Sequence, residues 1–134
     1  MGFEAFGALK YLSLETLRKS GVGVRTPIWF AADPARNLGS GDARLFVYTE
    51  ADSGKVKRIR NNGRVRIAPC DMRGKILGDW VEARAEIVSG NDAEQGMELL
   101  NKKYLLWKQL LDFFAKFRPH ERAVIAILPV ETRK

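Results

Sequence analysis

The residues best suited to chemistry lie between Thr49 and Arg60, where hydroxyls, a glycine and four cations follow one another closely. Asp52 or Ser53 can cap a short helix here, and the first turn of a helix offers unpaired backbone N–H groups and a partial positive charge. Lys55 adds a full positive charge at the same place. Together these groups predict a phosphate-binding site. The alternative is that the four cations only solvate an exposed helix.

The same basic segment also fits a nucleic-acid interface. Its cations, with Arg64 and Arg66 beyond them, could follow a sugar-phosphate backbone while aromatic rings on nearby strands stack on bases. The rings in question are Trp29, Phe30, Phe46 and Tyr48. Basic and aromatic positions do not alternate along one strand as an RNA-recognition strand requires. We therefore expect these rings to lie in the core, and nucleic acid is the weaker alternative.

The composition narrows the kinds of site that this chain can build. The 134 residues carry 23 Lys and Arg against 16 Asp and Glu, a formal net charge of +7 that suits an anionic ligand. The single cysteine, Cys70, cannot form an internal disulfide or a structural zinc site. The single histidine, His120, weakens hydrolase and metalloenzyme interpretations. We predict no metal site, and no catalytic acid or base can be named.

Targeting signals are also missing from the sequence. No apolar run reaches the roughly 20 residues of a membrane span, and the first residues lack the basic start and apolar stretch of a signal peptide. We therefore expect a cytoplasmic protein without a membrane partner.

A scaffold made chiefly of strands is predicted around these residues. The patterns indicate strands over 11–18, 24–31, 44–49, 65–68, 80–87 and 123–128. A short helix, ending in a left-handed turn at Asn62–Gly63, should follow the third strand, and a helical segment capped by Asp92 should precede the last. We expect residues 1–134 to form one mainly β domain, an antiparallel six-stranded barrel with short helices.

Some residues outside the basic segment have mainly structural interpretations. Pro27 cannot donate to a sheet and should lie at a strand edge. Cys70 is expected to be buried rather than nucleophilic, because no histidine lies near it in sequence to lower its pKa. His120 is expected in a surface connection. The aromatic residues Tyr104, Trp107, Phe113, Phe114 and Phe117 are expected to pack in the core or between subunits.

Four segments carry a family resemblance: Val24–Phe30, Tyr48–Asn62, Ala68–Asp71 and Trp80–Ala85. They resemble the pyridoxamine 5′-phosphate oxidase-like split-barrel superfamily, and more narrowly its branch of enzymes of the deazaflavin coenzyme F-420. The similarity spans about residues 10 to 130, and the middle block from Tyr48 is its most specific part.

The resemblance implies a Greek-key split barrel that forms a homodimer with cofactor sites in the clefts between subunits. It implies a cofactor, coenzyme F-420 or alternatively FMN, that exchanges a hydride with a small organic substrate. The implied ring contacts are Arg25, Thr26 and Pro27, with Trp80 approaching the cofactor. The implied phosphate block begins at Tyr48 and places Thr49, Ser53 and Lys55 closest, assisted by Lys57 or Arg58. This block coincides with the phosphate site predicted from the local residue pattern.

Two departures from the family pattern limit the resemblance. Family members commonly have proline where this chain has Gly23 and Gly63, which changes turns and removes no ligand. The arginine- and histidine-rich C-terminal substrate motif of true pyridoxamine phosphate oxidases is missing, so vitamin B6 oxidation is disfavoured. The narrower resemblance favours coenzyme F-420 over FMN, and a non-catalytic carrier or scavenger of such a cofactor is an open alternative.

Overall fold

A computed structural model describes residues 3–7, 9–103 and 122–130 of the chain. After a short 3₁₀ helix at Glu4–Phe6, it contains six strands and two α-helices. In chain order they are β1 (Tyr11–Leu17), β2 (Gly23–Ala32), β3 (Leu45–Glu50), α1 (Gly54–Asn61), β4 (Arg64–Cys70), β5 (Val81–Val88), α2 (Gly90–Lys103) and β6 (Arg122–Pro129).

The six strands form one closed antiparallel barrel in the order β1-β2-β3-β6-β5-β4. The order is of Greek-key type because β4 leaves β3 and returns to pair with β1. Each strand alternates side chains between the barrel interior and the outer surface. The predicted fold class, a mainly β six-stranded antiparallel barrel, is confirmed.

Only a short stretch of pairing joins β2 to β3 in the barrel. Pairing between these strands is confined to Phe30, Ala31 and Ala32 of β2, opposite Val47, Phe46 and Leu45 of β3. The first seven residues of β2, from Gly23 to Trp29, pair with β1 alone. This leaves an open strand edge that carries Pro27, so the predicted edge position of this proline is confirmed.

Apolar side chains fill the barrel and its outer cover as two clusters. Leu12, Leu14, Phe30 and Ile67 belong to the interior cluster, and Val56 of α1 joins it at one end of the barrel. The second cluster lies between α2 and the outer face of the barrel, and includes Phe46, Tyr48 and Leu100. Gly96 lets α2 approach closely, because a methyl group added there would lie 2.7 Å from Phe46 and Val124.

Two local predictions about helix ends are wrong. No left-handed residue ends α1: Asn62 is extended, and Gly63 is not among the glycines with positive φ. The chain leaves α1 directly into β4, with Asn62 Oδ1 accepting from the backbone N–H of Arg64. Asp92 is not a cap, because α2 already begins at Gly90 and Asp92 lies in its first turn.

Burial confirms most of the structural interpretations. Phe30, Phe46 and Tyr48 are buried, as is Cys70, while Trp29 is partly buried against the second cluster. His120 and the aromatic residues from Tyr104 to Phe117 lie outside the described residues. In the portion of the chain described, neither helix is long and apolar enough to cross a bilayer.

Candidate functional site

The start of α1 is organised by Ser53, which caps the helix. Its Oγ accepts a hydrogen bond from the backbone N–H of Val56 (3.3 Å), and Thr49 Oγ1 lies 3.5 Å from the same oxygen. Thr49 stands near the end of β3 and is buried. β3 therefore places one hydroxyl and the Ser53 cap another at the start of α1, where the first backbone N–H groups lack the partners of a helix interior.

Arg58 reaches back from the second turn of α1 to the same point. Its Nε–H donates to Thr16 Oγ1 on β1 (2.6 Å). Its guanidinium also lies over Gly54, where an added methyl group would come within 2.7 Å of Nη1. The glycine thus gives the guanidinium room at the helix start. We call Thr16, Thr49, Ser53, Lys55 and Arg58 the helix-start cluster.

Lys55 is half-buried within this cluster. Burial lowers the pKa of its ammonium, and the nearby Arg58 charge lowers it further, while Glu50 acts in the opposite direction. Two cations held close together and partly removed from water favour an anion between them. The helix-start cluster therefore gathers the kinds of charge and donor that a phosphate site requires, and the phosphate site stays a prediction.

A second polar cluster lies on the outer face of the barrel. Glu15 of β1 pairs with Arg25 of β2 through one carboxylate oxygen (2.8 Å) and with Arg66 of β4 through the other (2.6 Å). Both guanidiniums lie over the Trp80 ring, at 4.5 Å and 5.3 Å from its centroid. We call Glu15, Arg25, Arg66 and Trp80 the arginine shelf. An open cavity of about 340 Å³ adjoins it, with Gly23 and Glu82 in its lining.

Adjacent residues of β1 join the two clusters. Thr16 belongs to the helix-start cluster and Glu15 to the arginine shelf, on opposite faces of the strand. Arg25 of the shelf, with Thr26 and Pro27, occupies the part of β2 that has no β3 partner. The strands on the two sides of this part, β1 and β3, both contribute to the helix-start cluster. Among the described residues no strand pairs with this open edge of β2, so its backbone can face a ligand.

The structure brings most, but not all, of the predicted residues together. Thr49, Ser53, Lys55 and Arg58 share the helix start, and Arg25 and Trp80 share the shelf, with Thr26 and Pro27 on the open edge between β2 and β3. Lys57 is exposed on α1 away from these contacts. Tyr48 points to the other face of β3, where it packs in the cluster beneath α2.

Two residues of the site were missed by sequence reasoning. Glu15 and Thr16 are almost fully buried, although they lie in a strand that reads as alternating apolar and polar residues. The available signal was the consecutive polar pair Glu15–Thr16, which breaks the alternation, since one member must then face the barrel interior and buried polar groups require partners. Trp80 also differs slightly from expectation, because it precedes β5 rather than beginning it.

Cys70 lies at the end of β4 and is not a reactive thiol. Burial raises its pKa to about 11, with a further contribution from the neighbouring Asp71 carboxylate. A thiol with such a pKa is not ionised at neutral pH.

Comparison with known proteins identifies the fold. No family model and no curated protein matches the sequence. Among solved structures, a candidate pyridoxamine 5′-phosphate oxidase from Listeria innocua is 14% identical, with a TM-score of 0.61 over 92% of this chain and 86% of that one. The heme storage protein HutZ from Vibrio cholerae is 14% identical, with a TM-score of 0.64 over 98% and 93%.

An F-420 reductase has the same fold. It is 19% identical and has a TM-score of 0.58, with 98% of this chain and 95% of that one covered. The chain therefore shares the split-barrel fold of pyridoxamine 5′-phosphate oxidase-like proteins.

Proposed function

We propose that this protein is an oxidoreductase that binds a flavin-type cofactor and transfers a hydride between it and a small organic substrate. The observation that carries the proposal is the helix-start cluster. Side chains from β1, β3 and α1 meet there around a half-buried lysine and an arginine, beside the open edge of β2.

The described residues fit the phosphate of such a cofactor. Ser53 and Thr49 offer hydroxyls, Lys55 and Arg58 offer positive charge, and the first turn of α1 offers backbone N–H groups. An anion placed here would relieve the repulsion between the two cations. These groups are those expected of a phosphate site, and they would serve a flavin phosphate and a deazaflavin phosphate alike.

The ring of the cofactor would lie along the open edge of β2. Thr26 and Pro27 would border it, and the guanidinium of Arg25 would place positive charge beside it. The cofactor supplies the hydride chemistry when bound, and the chain supplies orientation, exclusion of water and electrostatic stabilisation. Such a mechanism suits a site whose described residues include no evident general acid or base.

Coenzyme F-420 is the cofactor that we favour, with FMN as the alternative. The fold is shared with an F-420 reductase, and the narrower sequence resemblance points the same way. The acidic tail of the deazaflavin also suits a chain with a net charge of +7. FMN presents a terminal phosphate that Ser53 and Lys55 could hold equally well.

Titration of the purified protein with FMN and with coenzyme F-420, followed by fluorescence, tests this proposal. We expect at least one to bind with micromolar or lower Kd. Lys55→Ala should weaken that binding by roughly 10- to 150-fold, because a hydrogen bond to a charged group contributes about 1.5–3 kcal/mol. Arg60→Ala removes an exposed cation from the same helix and should leave the Kd unchanged.

Each outcome separates one part of the proposal from the rest. Binding of neither cofactor would overturn it. Unchanged binding by Lys55→Ala would retain the cofactor but remove the phosphate assignment. Oxidation or reduction of the bound cofactor by a panel of small carbonyl and enone compounds distinguishes an oxidoreductase from a carrier. An affinity for nucleic acid that falls steeply with salt, without cofactor binding, would support the nucleic-acid alternative.

A further inference from the structure

Glu15 holds the arginine shelf together from below. Its carboxylate is 7% exposed and divides its two oxygens between Nε of Arg25 and Nε of Arg66. The two arginine side chains are half-exposed, at 53% and 43%. In the described residues no hydrogen bond uses their terminal nitrogens, so these N–H groups can still donate to a ligand.

Gly23 makes this position of Glu15 possible. A methyl group added at Gly23 would come within 2.7 Å of the carboxylate carbon and of Oε2 of Glu15. The glycine faces Glu15 from the start of β2, and its φ is not in the left-handed region. The lack of a side chain at Gly23 is therefore explained by the Glu15 carboxylate that lies over it, and not by a turn. The position of Glu15 depends on Gly23.

We propose that Glu15, lodged over Gly23, is a positioning residue for the ring section of the cofactor site. It holds the guanidiniums of Arg25 and Arg66 on Trp80, so that the terminal N–H groups of Arg25 are presented from one fixed place. The inference rests on the proposed function, because it assigns Arg25 to the ring. It adds Glu15, Arg66 and Gly23 to the residues on which cofactor binding depends.

The physical reason is preorganisation. A half-exposed arginine in water samples many rotamers, and a ligand that uses it must first pay for ordering the side chain. Here the Nε hydrogen bond and the Trp80 ring already restrain each guanidinium. Glu15 is almost fully buried and each of its oxygens already accepts from an arginine, so we assign it an effect on the ligand through those arginines.

Four variants test the inference. Glu15→Gln removes the charge that binds two guanidiniums, and Gly23→Ala displaces the carboxylate while keeping every charge in the chain. Glu86→Gln is the control for the first, because Glu86 is exposed on β5 and has no ion pair among the described residues. Gly41→Ala is the control for the second, because an added methyl group there meets nothing within 4 Å.

The measurement compares cofactors with and without a phosphate. Kd values are obtained for FMN and riboflavin, and for coenzyme F-420 and its phosphate-free deazaflavin chromophore. We expect Glu15→Gln and Gly23→Ala to weaken all of them by about tenfold. The ratio of FMN to riboflavin affinity should stay as in the wild type, whereas Lys55→Ala should lower that ratio. Urea denaturation confirms that each variant is folded.

A ligand-free measurement keeps the two proposals distinguishable. In NMR spectra of the free protein, the Nε–H signals of Arg25 and Arg66 should be protected from exchange in the wild type and both controls, and lose protection in both test variants. Wild-type affinity in Glu15→Gln and Gly23→Ala would overturn the inference and leave the proposed function standing. If the wild type binds no cofactor, the proposed function fails and the ring assignment with it, while the NMR signals still show whether Glu15 holds the arginines.

Discussion

At the scale of single residues, Lys55 is the cation on which the proposed phosphate site depends most. Its ammonium is half-buried, and burial together with the Arg58 charge lowers its pKa. A bound phosphate would reverse the unfavourable electrostatics and raise the pKa again. Because the protonated lysine is the form that binds, affinity and protonation are linked.

The affinity for the phosphate is therefore expected to decrease in alkaline solution. The ordinary pKa of lysine is 10.5, and that of Lys55 is lowered in the free protein. The affinity should therefore begin to decrease at a lower pH than it would for an ordinary lysine. Measuring Kd for FMN and for riboflavin from pH 7 to 10.5 tests this, since the ratio of the two cancels ionisation of the ring. Lys55→Arg is the control, because an arginine remains charged throughout this range. A ratio that is independent of pH in the wild type would contradict the prediction.

Individual residues of the site differ in how well they could be predicted. Ser53 and Lys55 can be proposed from the sequence because a cap, a first turn and a cation are local features of one short segment, and the structure confirms the cap. Glu15 was not found, since its partner Arg66 lies 51 residues away and only the pairing of β1 with β4 brings them together. The proposed phosphate section can thus be predicted from one short segment of sequence. The proposed ring section also depends on how distant strands pair, which the local sequence does not show.

At the scale of elements, the start of α1 combines a structural role with the proposed binding role. Ser53 Oγ already accepts the Val56 N–H, so the hydroxyl is oriented by the helix that it caps. An aspartate would cap the helix equally well, but it would bring a negative charge to the place proposed for the phosphate. Substitution of this one position can therefore separate the two roles.

Ser53→Asp is expected to keep the free energy of unfolding near the wild-type value while FMN binding is lost. Ser53→Ala should instead lower the free energy of unfolding by about 1 kcal/mol, because the cap is removed. Urea denaturation and fluorescence titration measure the two effects. Ser89→Asp introduces the same charge immediately before α2 and should leave FMN binding unchanged. Tight FMN binding by Ser53→Asp would place the phosphate elsewhere.

Strand patterns predicted where the elements are, but not where their pairing stops. All six predicted strands are present, because alternation reports which face of a strand is buried. Alternation does not report the register between strands, so the limit of β2–β3 pairing at Phe30 could not be predicted. The end of α1 differs from the prediction for a related reason: only two residues separate the helix from β4, and the pairing of β4 with β5 holds the chain extended.

At the scale of the whole molecule, the connection between β4 and β5 exposes apolar side chains beside the proposed ring site. Met72 and Leu77 are 68% and 56% exposed. A methyl group added at Gly74, between them, would lie 3.6 Å from the Pro27 ring on the unpaired edge of β2. Contiguous exposed apolar patches mark surfaces that meet another protein, and both side chains lie on this one short connection next to the proposed site. We propose that a second copy of the chain covers this connection and completes the cofactor cleft.

The proposed assembly makes dimerisation and cofactor binding depend on the same surface. We expect sedimentation equilibrium to give twice the monomer mass for the wild type. Leu77→Lys should shift the protein toward monomer, because a charge would be buried in the interface without a partner. The same variant should weaken FMN binding at least tenfold. Val22→Lys is the matched control, since Val22 is 58% exposed but lies in the β1–β2 turn, at the opposite end of β1 from Cys70 and the β4–β5 connection. It should remain dimeric and bind normally. A wild-type monomer that binds FMN tightly would show that one chain forms the whole site, and a dimeric Leu77→Lys with full affinity would place the interface on another face of the barrel.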